Sequence, residues 1–309
     1  MAPAIPPTVP PADVATPAEV LRRSADYLAR HGVESPRATA EALLMHLLKT
    51  NRAGLYARQE GLDAATARAF GRALCRRCVG TPLQHITGEQ PFLDLTLAVE
   101  RGVFVPRPET ELLVVTAVAA LDGIPSPVAV DVGTGTGAVA LAVASRRPDA
   151  RVIATDVSPA AVRLARSNAA RLGLLVDVRE GDLLEPVPAE LRGAIDLVVS
   201  NPPYLDASDY LDLPPEVRAD PPEALIGGTE FHRRLCDDAP SWLRSGGWLI
   251  VEIGDDQGAD VRSLFERWAD DVAVLPDLAG RDRIVRGRLG GSHPAPGGGS
   301  AKAGRGDVR

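Results

Sequence analysis

The residue types in this 309-residue chain best suited to chemistry stand together at Asn201-Pro202-Pro203-Tyr204. Two consecutive prolines fix φ and remove two backbone donors, which leaves outward carbonyls as acceptors on a stiff loop. Asn201 adds a side-chain oxygen, and Tyr204 offers a ring face for packing. Together they make a rigid set of acceptors for a planar NH2 group. The nitrogen of an amide or an aromatic amine is a poor nucleophile because its lone pair is delocalised. Hydrogen bonds from its N–H groups to Asn201 Oδ1 and the Pro202 carbonyl would hold it in line with an electrophilic carbon. They would also favour the positive charge that develops on it. Adenine N6 and the side-chain amide of glutamine both fit such a corner.

A second constellation lies upstream, in VAVDVGTGTGAVALAVA. Gly133, Gly135 and Gly137, with Thr134 and Thr136 between them, separate an apolar strand pattern from a helical one. Glycines there allow a tight turn and let a ligand approach the backbone and the helix N-terminus. Read as Gly133-x-Gly135-x-x-Ala138, the loop also passes for a dinucleotide fingerprint. Two acids sharpen the choice. Asp156, 25 residues after Asp131, closes the second strand, where a carboxylate accepts both ribose hydroxyls. Asp131 directly precedes the loop, where it would oppose a pyrophosphate but suits an ammonium and a sulfonium. The pattern Asp-x-Gly-x-Gly-x-Gly therefore favours S-adenosylmethionine over NAD. Asp182, after the third strand, is placed either for an adenine amino group or as an exposed loop acid. Methyl transfer from a sulfonium releases a neutral thioether, so no general acid is required, and the acceptor's proton can leave afterwards to water.

The elements that must position these residues follow from periodicity. Residues 17–80 read as a small helical bundle. Thr16 and Ser35 act as caps ahead of Pro17 and Pro36, and a third helix spans about 62–78. Residues 81–106 read as a β-hairpin linker, built from PFLDLTLAVE and GVFV. From Pro108 strands and helices alternate. Strands are expected at Val128–Val132, Arg151–Thr155, Leu175–Arg179, Ile195–Ser200 and Trp248–Ile253, and an antiparallel edge hairpin at Val272–Leu275 and Arg283–Arg286. This is an α/β, seven-stranded, mostly parallel Rossmann-like domain over 107–289, with helices on both faces. Trp242, Trp248, Phe265 and Trp268 fall in its core pattern. The Ala/Pro-rich residues 1–15 and the Gly-rich 290–309 read as disordered tails.

Composition narrows the function classes. The net charge of −7 is the balance of +4 on residues 1–80, −14 on 81–287 and +3 on 288–309. An acidic central domain is a poor surface for a phosphate backbone, which counts against nucleic acid and so against adenine as acceptor. No apolar run reaches membrane-spanning length and no secretory signal opens the chain, so a cytoplasmic location without membrane contact is expected. Three cysteines make no disulfide framework, and Cys75-x-x-Cys78 lacks companion ligands; the five histidines show no metal spacing, so no metal is expected. His85 has no evident role. Arg107 suits either a ligand contact or an ion pair, and Glu252, in VEIG, either the site or the core.

These motifs carry a resemblance. From about residue 17 to 288 the chain resembles the protein-(glutamine-N5) methyltransferases that modify class I peptide chain release factors. The likeness rests on TPLQHITGEQPFLDLTLAVERGVFVPRPETE, DVGTGTGAVALAVA, SNPPY and the late GRDRIVRGR. Pro106-Arg107-Pro108-Glu109-Thr110-Glu111 and the QHITG join are more specific than Asn-Pro-Pro-Tyr and separate this family from DNA adenine methyltransferases. A sister group that methylates a glutamine of a ribosomal protein shares Asn-Pro-Pro-Tyr; QHITGEQPF and PRPETE favour the release-factor side. The resemblance implies a class I methyltransferase fold and methylation of the glutamine in a release factor's Gly-Gly-Gln loop. It implies that Asn201 and Pro202 hold that amide, with Pro203 and Tyr204 beside it, and that the N-terminal helices help grip the release factor. It further implies cofactor contacts at Gly133 to Gly137, Asp156, Asp182, Leu183 and Asn201. Some members carry an aromatic residue where Leu183 stands, so apolar contact rather than stacking is expected there.

Overall fold

The computed structural model describes residues 16–291, which form two compact units. One contains the described residues up to Gln90 together with Ala98–Val105 and Asp209–Pro222. The other contains Pro91–Leu97, Pro106–Ser208 and the described residues from Glu223 onward. The tails expected to be disordered, 1–15 and 290–309, lie outside the described residues apart from Gly290 and Gly291.

The first unit is helical. Helix α1 (Pro17–Arg30) starts as its sequence dictates, with the Thr16 hydroxyl accepting from the Glu19 amide at 3.4 Å and proline at the first position. Helix α2 (Pro36–Leu48) starts differently from expectation. Ser35 adopts φ 46° and makes no side-chain cap, so Pro36 alone sets the entry. A short helix that periodicity did not reveal, α3 (Arg52–Ala57), is capped by Asn51 Oδ1 accepting from Gly54 N at 2.8 Å. Helix α4 (Ala64–Cys78) is capped by Asp63, which accepts from the amides of Ala65 and Thr66, both at 2.9 Å. Leu21, Leu28, Leu43, Leu44, Leu55, Phe70 and Leu74 bury together as its core. Asp209–Pro222 joins this unit through specific contacts. Buried Arg77 donates to Glu216 Oε1 at 2.5 Å, and Val105 N donates to Asp220 Oδ1 at 3.2 Å.

The expected hairpin linker is partly corrected. It opens with a helical turn, α5 (Leu83–Thr87), ended by Gly88 at φ 77°. The hairpin is only β1 (Glu89–Phe92) and β2 (Leu95–Ala98), and residues 102–105 form no strand. Val103 and Val105 are buried as their apolar character demands, but a side chain, Asp220, takes the place of a strand partner for the Val105 amide.

The second unit holds the sheet. In chain order it contains α6 (Thr110–Ala120), β3 (Val128–Val132), α7 (Ala138–Arg146), β4 (Arg151–Asp156), α8 (Pro159–Leu172), β5 (Asp177–Glu180) and β6 (Ile195–Ser200). There follow α9 (Glu230–Asp238), β7 (Leu243–Glu252), α10 (Gly258–Phe265), β8 (Ala269–Pro276) and β9 (Asp282–Leu289). The seven strands are ordered β5-β4-β3-β6-β7-β9-β8. Pairs from β5 to β7 are parallel, and β9 runs antiparallel to both β7 and β8, as the edge hairpin was expected to. Strand β5 starts two residues late, because Leu175 faces outward at 91% exposure. Strand β7 starts earlier than the expected Trp248 and passes through Gly246-Gly247. A Cβ on Gly247 would meet the Ile195 carbonyl oxygen at 2.8 Å, so close strand approach explains the glycine.

Successive strand residues point to opposite faces. Ala129, Leu197, Val199 and Ile250 bury against Leu113, Leu141 and Val162 from α6, α7 and α8. Val130, Val198, Leu249 and Val251 bury against Leu235, Val261 and Phe265 from α9 and α10, with Trp242 and Trp268. Trp248 lies nearer the surface, under the guanidinium of Arg286 at 5.2 Å. Among the described residues no helix is long and apolar enough to cross a membrane.

Candidate active site

The strand order reverses direction between β3 and β6: the chain steps outward from β3 through β4 to β5, then returns to β6 on the other side. In open α/β sheets such a switch point leaves a crevice outside the carboxyl ends of the strands. Both sequence constellations end there. Val132 and Ser200 are paired neighbours, and the Ser200 hydroxyl donates to the Val132 carbonyl at 2.7 Å. Gly133 and Asn201, the next residue on each strand, therefore leave the sheet about one strand spacing, ~5 Å, apart.

The glycine loop is shaped from below. Gly133, Gly135 and Gly137 adopt φ of 73°, 56° and 87°, a region costly for side chains. Nothing stands within 4 Å of a Cβ built on Gly133 or Gly135, so the protein leaves open room above the loop. Gly137 answers a packing need as well, since its Cβ would meet Leu141 Cδ1 at 3.0 Å. The amides of Gly133 and Thr134 both donate to the Thr155 carbonyl, at 2.9 and 3.0 Å. Asn168, fully buried on α8, donates to the Thr136 carbonyl at 3.0 Å, a support that no local motif marks.

Asp131 meets the loop from beneath. Its Oδ2 accepts from the Thr134 hydroxyl at 2.6 Å and the Ala140 amide at 3.1 Å, and the residue is 2% exposed. Burial, with the nearby Asp156 charge, pushes its carboxyl up to about 7 against the pull of those two donors. Its visible task is to hold Thr134 and the start of α7. Asp156 Oδ2 accepts from the Gly135 amide and Oδ1 from the Ser158 amide, both at 2.8 Å. Burial raises its carboxyl too, offset by those amides. Each oxygen keeps a further lone pair for a hydroxyl donor. Asp182 forms an ion pair with Arg234, a partner that no local pattern marks. Leu183 is buried at φ 46°, held there by the Thr155 hydroxyl donating to its carbonyl at 2.7 Å.

The proline corner is held from behind. Asn201 Nδ2 donates to Thr110 Oγ1 at 2.9 Å, so in this structure Oδ1 is the free end of the carboxamide. Among the described residues no donor reaches Asn201 Oδ1 or the Pro202 carbonyl. The expectation that the corner's carbonyls all point outward is corrected for two of them. The Pro203 carbonyl oxygen backs onto Gly227, where a Cβ would come within 2.2 Å of it. The Tyr204 carbonyl accepts from Gln257 Nε2 at 2.7 Å. The Tyr204 hydroxyl donates to Glu252 Oε1 at 3.3 Å, and burial raises the phenol well above its ordinary value. Glu252 is 1% exposed, and burial pushes its carboxyl up to about 7 despite Thr110, Arg283 and Tyr204 nearby. Nothing in the sequence pattern assigns a role to Thr110, Gly227 or Gln257. Thr110 lay inside the distinctive Pro106–Glu111 stretch, the only signal that could have found it. Among the described residues no group of three His, Cys, Asp or Glu could hold a metal ion.

A mostly parallel seven-stranded sheet with an antiparallel edge and a glycine cradle after its central strand is the fold of the class I S-adenosylmethionine-dependent methyltransferases. Residues 19–88 match the PrmC N-terminal domain family, and residues 96–214 match the methyltransferase small domain family. The release factor glutamine methyltransferase of Moorella thermoacetica is 43% identical over 274 residues, which cover 86% of this chain and 94% of that protein. The release factor glutamine methyltransferase of Mycolicibacterium smegmatis is 44% identical over 266 residues, 84% of this chain and 92% of that protein. Among solved structures, the hMettl16 catalytic domain matches with a TM-score of 0.52 at 14% identity, over 72% of this chain and 84% of that one, a likeness of fold alone. The chain belongs to the release factor glutamine methyltransferase family. Its cofactor is S-adenosylmethionine, and the open glycine loop with the Asp156 carboxylate beside it fits that molecule.

Proposed function

We propose that this enzyme transfers a methyl group to the side-chain amide nitrogen of the glutamine in the Gly-Gly-Gln loop of class I peptide chain release factors. The observation that carries this reading is the orientation of Asn201: its NH2 end is taken by Thr110, so its oxygen and the neighbouring Pro202 carbonyl are left to accept. Two acceptors from consecutive residues, a side-chain oxygen and a backbone carbonyl, suit the two N–H groups of a primary carboxamide.

When bound, S-adenosylmethionine supplies an electrophilic methyl group and departs as a neutral thioether. Gly133, Thr134, Gly135, Thr136 and Gly137 are assigned to its backbone-lined cradle, with Asp156 on the ribose. Leu183 is assigned to apolar contact with the base. Asp182, paired with Arg234, contributes an acceptor there only with the oxygen that pair leaves over. Asp131 acts chiefly by shaping the loop. Asn201 Oδ1 and the Pro202 carbonyl align the glutamine nitrogen and stabilise the charge that grows on it, an electrostatic effect of about 3–4 kcal/mol per well-placed group in comparable sites. Pro203 and Tyr204 stiffen the corner. No side chain need remove a proton before transfer. The helical unit is assigned to gripping the release factor.

The test is mass spectrometry of purified release factor after incubation with the enzyme and S-adenosylmethionine. A single methyl group on the Gly-Gly-Gln glutamine is expected, and Asn201→Ala should lower the rate about a thousandfold while cofactor still binds. Label that enters nucleic acid, or a glutamine of a ribosomal protein instead, would overturn the reading.

A further inference from the structure

A carboxamide is nearly symmetric in shape, so nothing steric tells Asn201 which end to present. If it flipped, its NH2 would face the acceptor's N–H groups and repel them. Thr110 Oγ1 accepts from Asn201 Nδ2 in the observed state, so the Thr110 hydroxyl proton must go elsewhere. Glu252 stands against it. Its Oε2 is buried and has no hydrogen-bond partner among the described residues, while the Thr110 hydroxyl lies close enough to favour the ionised carboxyl. The other oxygen, Oε1, accepts from Tyr204 at 3.3 Å, so a single carboxyl addresses both ends of the corner.

We infer that Thr110 and Glu252 are positioning residues that dictate which end of the Asn201 side chain faces the acceptor amide. The inference rests on the function proposed above. When Glu252 is ionised it can only accept, so Thr110 must donate to it and can only accept from Asn201; the polarity is passed along the chain and Oδ1 is presented. When Glu252 is protonated it can donate to Thr110, whose hydroxyl is then free to donate to Asn201 Oδ1, and the flipped, unproductive carboxamide becomes accessible. The groups around Glu252 set the balance. The Tyr204 hydroxyl donates to it, the Thr110 hydroxyl and Arg283 favour its charge, and Glu109 opposes it. His232 bonds its backbone carbonyl at 2.9 Å and not its carboxyl.

The test compares wild type, Thr110→Val, Thr110→Ser and Glu252→Gln with full-length release factor, measuring kcat across pH 6 to 8.5, KM, cofactor binding and melting temperature. In wild type kcat should rise with pH through an apparent pKa near 7, as the carboxyl ionises. Thr110→Val, which keeps the shape but lacks the hydroxyl, should lose about 10- to 100-fold in kcat and the pH limb with it, while KM and cofactor affinity stay within about twofold. Thr110→Ser should restore both rate and limb. Glu252→Gln should flatten the limb, and this decides the matter should Thr110→Val fail to fold. A Thr110→Val or Glu252→Gln enzyme that keeps the wild-type pH profile overturns the relay while leaving the proposed function intact. A wild-type enzyme that methylates no glutamine overturns both.

Discussion

The loop after β3 and the corner after β6 leave neighbouring strands side by side, yet they are made rigid in opposite ways. The loop needs backbone freedom. Its three glycines take positive φ, and it is fixed by main-chain amides donating to the Thr155 carbonyl and to Asp156, with Asp131 beneath. The corner has its freedom removed by two prolines, and side chains then decide where it points. Thr110 holds Asn201, Gln257 holds the Tyr204 carbonyl, and Gly227 makes room for the Pro203 carbonyl. The difference teaches a division of labour. A surface of backbone amides and open space suits a ligand to be wrapped, whereas two fixed acceptors suit a nitrogen to be aimed.

Substitutions can break that division. Gly227→Ala places a Cβ where the Pro203 carbonyl stands, 2.2 Å away, so the corner must move. A displacement of about 1 Å can cost about 100-fold in rate, so kcat should fall by about that much with cofactor affinity unchanged. Steady-state kinetics alongside calorimetric titration would show the split; a drop in cofactor affinity of equal size would mean that loop and corner are one device. Gly135→Ala should give the mirror pattern. Alanine at φ 56° costs about 1–2 kcal/mol and its methyl enters the open cradle, so cofactor affinity should weaken by about tenfold or more, with kcat at saturating cofactor nearly kept.

A smaller effect sharpens the account of the loop. The Asp131 carboxyl is raised to about 7 in the folded protein against an ordinary 3.8, so the fold favours its protonated form. That contribution is full below about pH 4 and is lost as pH climbs through about 7. The melting temperature without cofactor should therefore decline over that window, and Asp131→Asn should make the decline shallower. Thermal scans from pH 4 to 8 check it, and an unchanged slope would mean that Asp131 is charged in the fold.

How far each region was legible in the sequence follows from where its supports lie. The loop was readable because its requirements are local: an apolar strand, glycines at alternate positions, and acids at the ends of consecutive strands. The corner's chemistry was readable too, but not its supports. Thr110 precedes Asn201 by 91 residues, while Glu252 and Gln257 follow Tyr204 by 48 and 53, so only the fold brings them together. The ion pair of Asp182 with Arg234 escaped for the same reason, across 52 residues. Strand positions came through because fully buried parallel strands read as apolar runs. The errors fell where burial and pairing part company: Val103 and Val105 are buried without a strand, and Gly246-Gly247 lie within one.

The central claim concerns one side chain, so its sharpest test is a crystal structure of the enzyme with S-adenosylhomocysteine and a release factor. The glutamine amide nitrogen should lie about 3 Å from both Asn201 Oδ1 and the Pro202 carbonyl, with Asn201 Nδ2 still on Thr110. A glutamine held elsewhere, or an Asn201 turned so that its nitrogen faces the substrate, would contradict the account.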